Sequence, residues 1–481
     1  MLATRGVKIR PLAYRPNFAW ATRLGRRPRD EHGQPCTVRI LYRIGDHLWR
    51  STESYRSVKA GVRMAIFAVT GGQPLCGQVR LDGSKNSALA ILVGSALGRG
   101  KTILHNVPCY TDAHVLCEIL SEIGVSVRFI RPGTYEVDGS SVDYCRPSYE
   151  KVRQLRASFY TAGLLLARLG VADVPFPGGD VIGARGINFH LDGFRALGAD
   201  VTVEHGYVKL RANRLRGTSF YVGKASHGTT VNMMLAASLA EGTTILENAA
   251  RDPEIVDLAI LLNSMGARIR GAGTGTIKIE GVSKLYGATH EIIPDRLEAG
   301  TLAVACAMTG GEVTIDNAVP EHLRTVLIDL RAAGAEIDEY GSVLRVRGPK
   351  RCKAVDIETL AYPGFPTDLQ PQFVAMMTRS DGVSTIVETR FESRFGYADE
   401  LRRMGADLQV DRDTVIVRGV ERLTGAPVEA PRDIRGGVAL LLAGLVAEGE
   451  TEINCIEYID RGYHRIETKL ASLGAKVKRI D

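Results

Sequence analysis

The sequence predicts an α/β protein of two lobes, each made of three copies of one structural unit, and three observations carry that expectation. The first is a phrase that recurs six times: an apolar helix end, a glycine, a small residue, then alternating polar and β-branched residues. It reads Leu120-Ser-Glu-Ile-Gly124-Val-Ser-Val, Phe194-Arg-Ala-Leu-Gly198-Ala-Asp-Val, Leu262-Asn-Ser-Met-Gly266-Ala-Arg-Ile, Leu330-Arg-Ala-Ala-Gly334-Ala-Glu-Ile, Leu401-Arg-Arg-Met-Gly405-Ala-Asp-Leu and Leu470-Ala-Ser-Leu-Gly474-Ala-Lys-Val. The second is an interleaved phrase, a small-residue helix followed by glycine and a strand, at Gly100, Gly170, Gly242, Gly311, Gly382 and Gly449. The third is length: 481 residues exceed the roughly 250 to 300 that a single core usually holds.

Taken in chain order, residues 1–63 stand apart. They carry 14 Lys+Arg against 4 Asp+Glu, with no acidic residue before Asp30, and hold both tryptophans, Trp20 and Trp49. An organellar transit peptide, a regulatory extension and a start codon placed too far upstream all fit that composition. The serines come only late, at Ser51, Ser54 and Ser57, which disfavours a transit peptide. A basic, dispensable or disordered extension is expected, with Met64 the natural first residue, because a strand pattern starts there (Met64-Ala-Ile-Phe-Ala-Val).

In each later unit the glycine of the first phrase ends a helix with a positive φ, and the residues after it switch to period two. The second phrase supplies explicit strands such as Gly242-Thr-Thr-Ile-Leu-Glu-Asn248 and Gly311-Glu-Val-Thr-Ile-Asp-Asn317. Residues 231–240 are apolar nearly all round, as befits a helix at a lobe centre. A solenoid of six stacked units has the same periodicity, but solenoid repeats usually run to about 20 to 50 residues, and these recur at about 70.

The net charge of +7 belongs to the N-terminal extension: residues 64–481 hold 47 basic and 50 acidic side chains. The body is therefore no nucleic-acid binder by charge. The eight cysteines are scattered, without a C-x-x-C pair or a Cys/His cluster at metal-ligand spacing, which predicts reduced thiols, no metal and a cytoplasmic setting. The longest apolar run, 438–446, is far short of the roughly 20 residues that span a bilayer.

Five segments carry chemistry: Leu81-Asp-Gly-Ser-Lys85-Asn86-Ser, Pro177-Gly-Gly-Asp180-Val-Ile-Gly-Ala-Arg185, Glu247-Asn-Ala-Ala-Arg-Asp-Pro-Glu254, Phe365-Pro-Thr-Asp368-Leu-Gln and Ile459-Asp-Arg461-Gly-Tyr. Together they resemble the UDP-N-acetylglucosamine enolpyruvyl transferases of peptidoglycan synthesis, within the EPSP synthase family, over residues 64–481. The resemblance implies a two-lobe inside-out α/β barrel of six βαβαββ repeats, one lobe being 85–293 and the other 64–84 plus 294–481. The chain then crosses between lobes near Lys85 and Asp295, beside the substrate cleft.

It also implies the reaction. An acceptor hydroxyl attacks C2 of phosphoenolpyruvate while C3 gains a proton, and the adduct then loses phosphate and a C3 proton. Such chemistry needs a base, an acid and an electrostatic clamp, with no cofactor. Lys85, Asn86, Arg185, Arg394, Arg435 and Arg461 match positions that hold phosphoenolpyruvate, whose phosphate and carboxylate suit arginine forks. Arg156, Arg185, Gly186, Ile187, Asn188, Phe189, Lys224, Ala225, Ser226, His227, Gly228, Asp368 and Arg390 match the nucleotide site.

Lys85, Asp180, Asp368 and Arg461 are the expected catalytic set. Asp368 matches the carboxylate that contacts the sugar hydroxyl and is the candidate base; a helix N-cap after Thr367 is its structural alternative. Asp180 takes the place where many relatives carry a cysteine that protonates C3. Proton donation near neutral pH calls for a desolvated carboxyl, and a loop closing over the cleft excludes water, whereas neighbouring arginines favour the charged form. Because fosfomycin inactivates relatives by alkylating that thiol, insensitivity is expected.

Departures from the pattern gather on the acceptor side. The stretch after the loop arginine, commonly Pro-Val-Asp-Leu or Pro-Leu-Asp-Met, is Gly186-Ile-Asn188-Phe189; the phosphate-facing Val-Ser-Val-Gly is Ala225-Ser226-His227-Gly228; an apolar residue before Phe391 is Arg390; and a common histidine is Tyr458. His227 reads equally as a phosphate ligand or a polar loop residue, and Arg390 as a new anion contact. UDP-N-acetylglucosamine is the expected acceptor. The alternatives are another uridine nucleotide such as UMP, as in nucleoside-antibiotic pathways, and an inactive regulatory paralogue.

Overall fold

The computed structural model describes residues 65–481 and, before them, the backbone of a short hairpin, Tyr42–Ile44 with His47–Trp49. The expectations for the remainder of residues 1–64 therefore lie outside the described residues.

All six glycines of the first phrase have positive φ, from 90° at Gly405 to 104° at Gly266. Each follows a helix and precedes a strand: Thr111–Glu122 leads to Ser126–Arg131, and Ile466–Ser472 to Lys476–Ile480. The left-handed backbone at each glycine lets the chain reverse within two residues. At the second phrase Gly310, not Gly311, takes the positive φ of the helix end. The strands still begin as the pattern predicts, at Lys101, Val171, Thr243, Glu312, Val383 and Glu450.

These strands form five four-stranded sheets and one of three strands among the described residues, besides two small two-stranded pairs. In each of the six, the strand of the second phrase pairs antiparallel with a middle strand, and that one with the strand fed by the glycine turn. In the last sheet the middle strand is the body's first, Ile66–Thr70, which pairs with both Glu450–Asn454 and Lys476–Ile480. Cys76–Arg80 likewise lies parallel to Glu312–Asp316. The N-terminal strands of the body thus belong with its C-terminal half.

The buried apolar side chains make two clusters. One holds residues from Ala88 to Ile292; the other joins Phe67 to Leu81 with Leu297 to Val477. Three helices sit deep in each: Lys85–Ser95, Tyr160–Leu169 and His227–Ala237 in the first, Arg296–Thr309, Gln370–Met377 and Ile434–Val446 in the second. Small residues let them approach. A Cβ on Gly163 would lie 2.7 Å from Asn232 Oδ1, and that amide instead accepts from Gly163 N and donates to the Phe159 carbonyl. The helix expected over 231–240 starts earlier, at His227, and ends three residues sooner, at Ala237, where Ser238 turns its hydroxyl onto the Met234 carbonyl. No helix among the described residues is long and apolar enough to cross a membrane.

Candidate active site

The chain passes between the clusters twice, at 82–85 and 294–296, and the two crossings lie side by side. Ser84 N donates to the Ile293 carbonyl at 2.7 Å, Asp295 N to the Asp82 carbonyl at 2.9 Å, and Lys85 N to Asp295 Oδ2 at 3.0 Å. Asp295 also caps the helix Arg296–Thr309. Gly83 is required here, because a Cβ would sit 1.9 Å from the Asn106 carbonyl oxygen. One half of the site hangs on this junction. Lys85 opens its helix, and its Nζ lies 3.0 Å from Asp112 Oδ2. Asp112 also takes Arg461 Nε at 2.9 Å, while Arg461 Nη1 reaches Asp180 Oδ1 at 2.6 Å.

Lysine, aspartate, arginine and aspartate therefore form one chain of alternating charge across the two clusters. Burial opposes ionisation of Asp112, but Lys85 and Arg461 overcome it and hold its pKa below the usual carboxylate range. Asp112 was absent from the residues expected from sequence. The Lys85 side chain itself is mostly buried and tied to Asp112. Asn86 follows it in the first turn, half-buried.

The second half centres on Asp368. Its side chain caps no helix; one oxygen lies 2.9 Å from Arg394 Nη1 and the other 3.4 Å from Arg435 Nη2. Burial acts to raise its pKa, and Arg394, Arg435 and Lys85 outweigh that and hold it well below the ordinary value. Arg394 also faces Asp433 at 3.6 Å, a second residue missed from sequence, which caps the helix bearing Arg435. For Asp433 burial prevails over Arg394, with Asp180 and Asp368 adding to the upward push. Among the described residues no hydrogen-bond partner meets the buried Arg394 Nε or Arg435 Nη1.

The Asp180 loop is docked on the opposite cluster. Val181 N donates to the Arg432 carbonyl at 2.9 Å, Ser393 N to the Ile182 carbonyl at 3.2 Å, and Ala184 N to Glu392 Oε1 at 2.6 Å. Its glycines allow this: a Cβ on Gly178 would lie 1.7 Å from the Arg153 carbonyl oxygen, and one on Gly183 (φ 132°) 2.6 Å from the Glu392 carboxylate. Arg185 then stacks 5.4 Å from the centre of the Phe391 ring, which Arg394 also approaches.

The acceptor-side residues gather next to this loop. Arg156 Nη2 donates to the Gly186 carbonyl at 2.9 Å. Ile187 is buried, Asn188 starts a helix, and Phe189 lies so close to Gly223 that a Cβ there would meet its ring at 2.1 Å. Lys224 and Ala225 take positive φ (55° and 44°), and Ser226 caps the helix His227–Ala237. Gly228 abuts His190, and Arg390 Nη2 donates to the Lys224 carbonyl at 3.2 Å. His227 Nδ1 lies 3.8 Å from Asp252, which with Glu254 also holds Arg296. Burial disfavours the charged imidazole, yet Asp252 prevails and raises its pKa. Neither Arg156 nor Arg185 has a carboxylate within ion-pair distance among the described residues. Burial, with Arg185 beside it, pulls Arg156 down to about 10, and burial lowers Arg185 too. Cations in that state favour the arrival of an anion.

Fold and site together define an α/β enzyme whose arginine, lysine and aspartate side chains form a buried network where the chain passes between two apolar clusters. The chain belongs to the EPSP synthase (3-phosphoshikimate 1-carboxyvinyltransferase) family, whose model matches residues 69–470. Among its relatives, UDP-N-acetylglucosamine 1-carboxyvinyltransferase 2 of Symbiobacterium thermophilum is 55% identical over 86% of this chain and 98% of its own length. UDP-N-acetylglucosamine 1-carboxyvinyltransferase 1 of Caldanaerobacter subterraneus is 50% identical over 86% and 99%. Among solved structures, the enolpyruvyl transferase NikO from Streptomyces tendae superposes with a TM-score of 0.79 at 25% identity, covering 87% of this chain and 99% of its own. EPSP synthase from Acinetobacter baumannii superposes at 0.67 with 18% identity over 87% and 100%, a likeness of fold.

Proposed function

We propose that this chain is a cytoplasmic enzyme that transfers the enolpyruvyl group of phosphoenolpyruvate to the 3-hydroxyl of UDP-N-acetylglucosamine, releasing phosphate, a committed step of peptidoglycan synthesis. The observation that carries the reading is the meeting of Asp180, Arg461 and Lys85 with Asp368, Arg394 and Arg435 at the junction of the two buried clusters. The identity to named UDP-N-acetylglucosamine 1-carboxyvinyltransferases supports the acceptor. The two clusters and the common strand order of six sheets support an architecture of two lobes with three units each.

In this reading Lys85, Asn86, Arg185, Arg394, Arg435 and Arg461 receive the phosphate and carboxylate of phosphoenolpyruvate. Arg461 now donates to Asp180, which leaves that carboxylate an acceptor. When the substrate anion takes Arg461, Asp180 is released to carry a proton in the water-poor space under its loop. Asp368, held ionised, accepts the acceptor hydroxyl's proton as the new O–C2 bond forms, and its basicity rises as Arg394 and Arg435 turn to the substrate. The π electrons of phosphoenolpyruvate take a proton at C3. Loss of a C3 proton then restores the double bond while the C2–O bond to phosphate breaks with its electron pair.

Residues 186–189 and 224–228, with Arg156 and Arg390, hold the nucleotide. Phosphate release from phosphoenolpyruvate with UDP-N-acetylglucosamine, UMP or shikimate 3-phosphate as rival acceptors tests the proposal. Turnover is expected with the first; turnover with UMP alone would move the acceptor, and nucleotide binding without phosphate release under any of them would make the chain an inactive paralogue.

A further inference from the structure

A second group of reactive side chains reaches the first crossing through Asp82. Cys109 is exposed and directly precedes the residue that caps the helix Thr111–Glu122, so its sulfur sits near the positive end of that helix. Its Sγ is 3.3 Å from His114 Nε2, and it also bonds His464, which comes from the other buried cluster's side of the molecule. His464 Nδ1 in turn faces Asp82 Oδ2 at 3.8 Å, and Asp82 is held by Lys469 at 3.0 Å. Tyr135 is a further titratable neighbour of the thiol. Hydrogen bonds from His114 and His464 pull the thiol down to about 6 against the effect of burial. Burial pushes Cys117 and Cys306 up to about 12 and Cys352 up to about 11.

We propose that Cys109 is a covalent modification site for soft electrophiles, an exposed thiol flanked by two imidazoles whose alkylation disables the enzyme. The thiolate displaces the leaving group at carbon: an S–C bond forms, and with iodoacetamide the C–I bond breaks and iodide departs with its electrons. The added group removes the acceptor for His464 and intrudes between segments that carry the site, since Cys109 is three residues before Asp112 and His464 three after Arg461. The modification itself rests on the Cys–His cluster; its effect on turnover rests also on the proposed transferase activity.

The pH of labelling is decisive. At pH 6 about half of such a thiol is ionised, against roughly 0.3% of an ordinary one, while its lower basicity reduces intrinsic nucleophilicity about tenfold; the net gain is roughly tenfold in rate. Iodoacetamide treatment of the full chain at pH 6, followed by peptide mass spectrometry, should label Cys109 about ten times faster than exposed Cys76. His114→Ala and His464→Ala should each slow that labelling. Phosphate release should fall in step with adduct formation, and Cys109→Ser should keep its basal rate and resist inactivation. Labelling of Cys109 no faster than Cys76, or undiminished by both histidine variants, would overturn the site. Full turnover of the Cys109 adduct would overturn its control of the enzyme, whereas absence of turnover before treatment would instead count against the proposed function.

Discussion

The two ends of the site are built on opposite charge plans. At the reacting end Lys85 and Arg461 are matched by Asp112, Arg461 again by Asp180, and Arg394 and Arg435 by Asp368. At the acceptor end the side chains of Arg156 and Arg390 bond, among the described residues, to backbone carbonyls, and Arg185, shared by both ends, lies on a ring. Matched buried charges keep each side chain in place before substrate arrives and let it exchange partners during reaction. Unmatched ones invite an anion but fix its position less tightly. Most departures from the family pattern, at 186–189, His227 and Arg390, lie at the acceptor end, while Asp180, the departure at the reacting end, keeps a charged partner in Arg461.

The largest expected effect is at Asp180. Asp180→Asn should lower phosphate release by about 10² to 10⁴-fold, whereas Asp180→Cys should retain measurable turnover. The unaltered protein should resist fosfomycin, with no time-dependent mass gain on the 177–185 peptide. Next in size is Asp112→Asn, which leaves Lys85 and Arg461 without their shared counter-charge. It should cost about 3 to 5 kcal/mol in chemical denaturation, with a raised KM for phosphoenolpyruvate.

Gly183→Ala forces a Cβ onto Glu392 at a positive φ. It should disfavour the docked loop by about 1 to 3 kcal/mol, read as lower kcat with folding unchanged. The smallest effect concerns His227. Its folded pKa is raised by Asp252, so the stability it adds is fully present below the unfolded value of about 6.5. That stability is lost as pH rises through the folded value. The denaturation difference between the natural chain and His227→Ala should therefore be greatest at acid pH and shrink in alkali; a difference that grows with pH would contradict the His227–Asp252 pairing.

The repeats were legible because a helix that must reverse into a strand needs a left-handed residue, and glycine marks it in all six copies. The Asp180 loop was legible for a related reason, since Gly178 and Gly183 permit approaches that no other residue would. Asp112 and Asp433 were not. Each is an unremarkable aspartate beside a helix start, and its meaning comes from Arg461 or Arg394, brought near only by the tertiary fold. The same holds for Cys109, whose partner His464 lies at the other end of the chain. Asp368 shows the limit from the other side: sequence allowed a helix cap, and only the tertiary placement of Arg394 and Arg435 holds its carboxylate between two guanidinium groups.

The central claim, that Asp180 moves a proton at C3, is tested by solvent exchange. With phosphoenolpyruvate and UDP-N-acetylglucosamine in heavy water, the natural chain should place deuterium on the methylene carbon of recovered substrate and product, as mass spectrometry reads it. Asp180→Asn should leave that carbon unlabelled. Deuterium appearing at the natural rate in the asparagine variant would contradict the account.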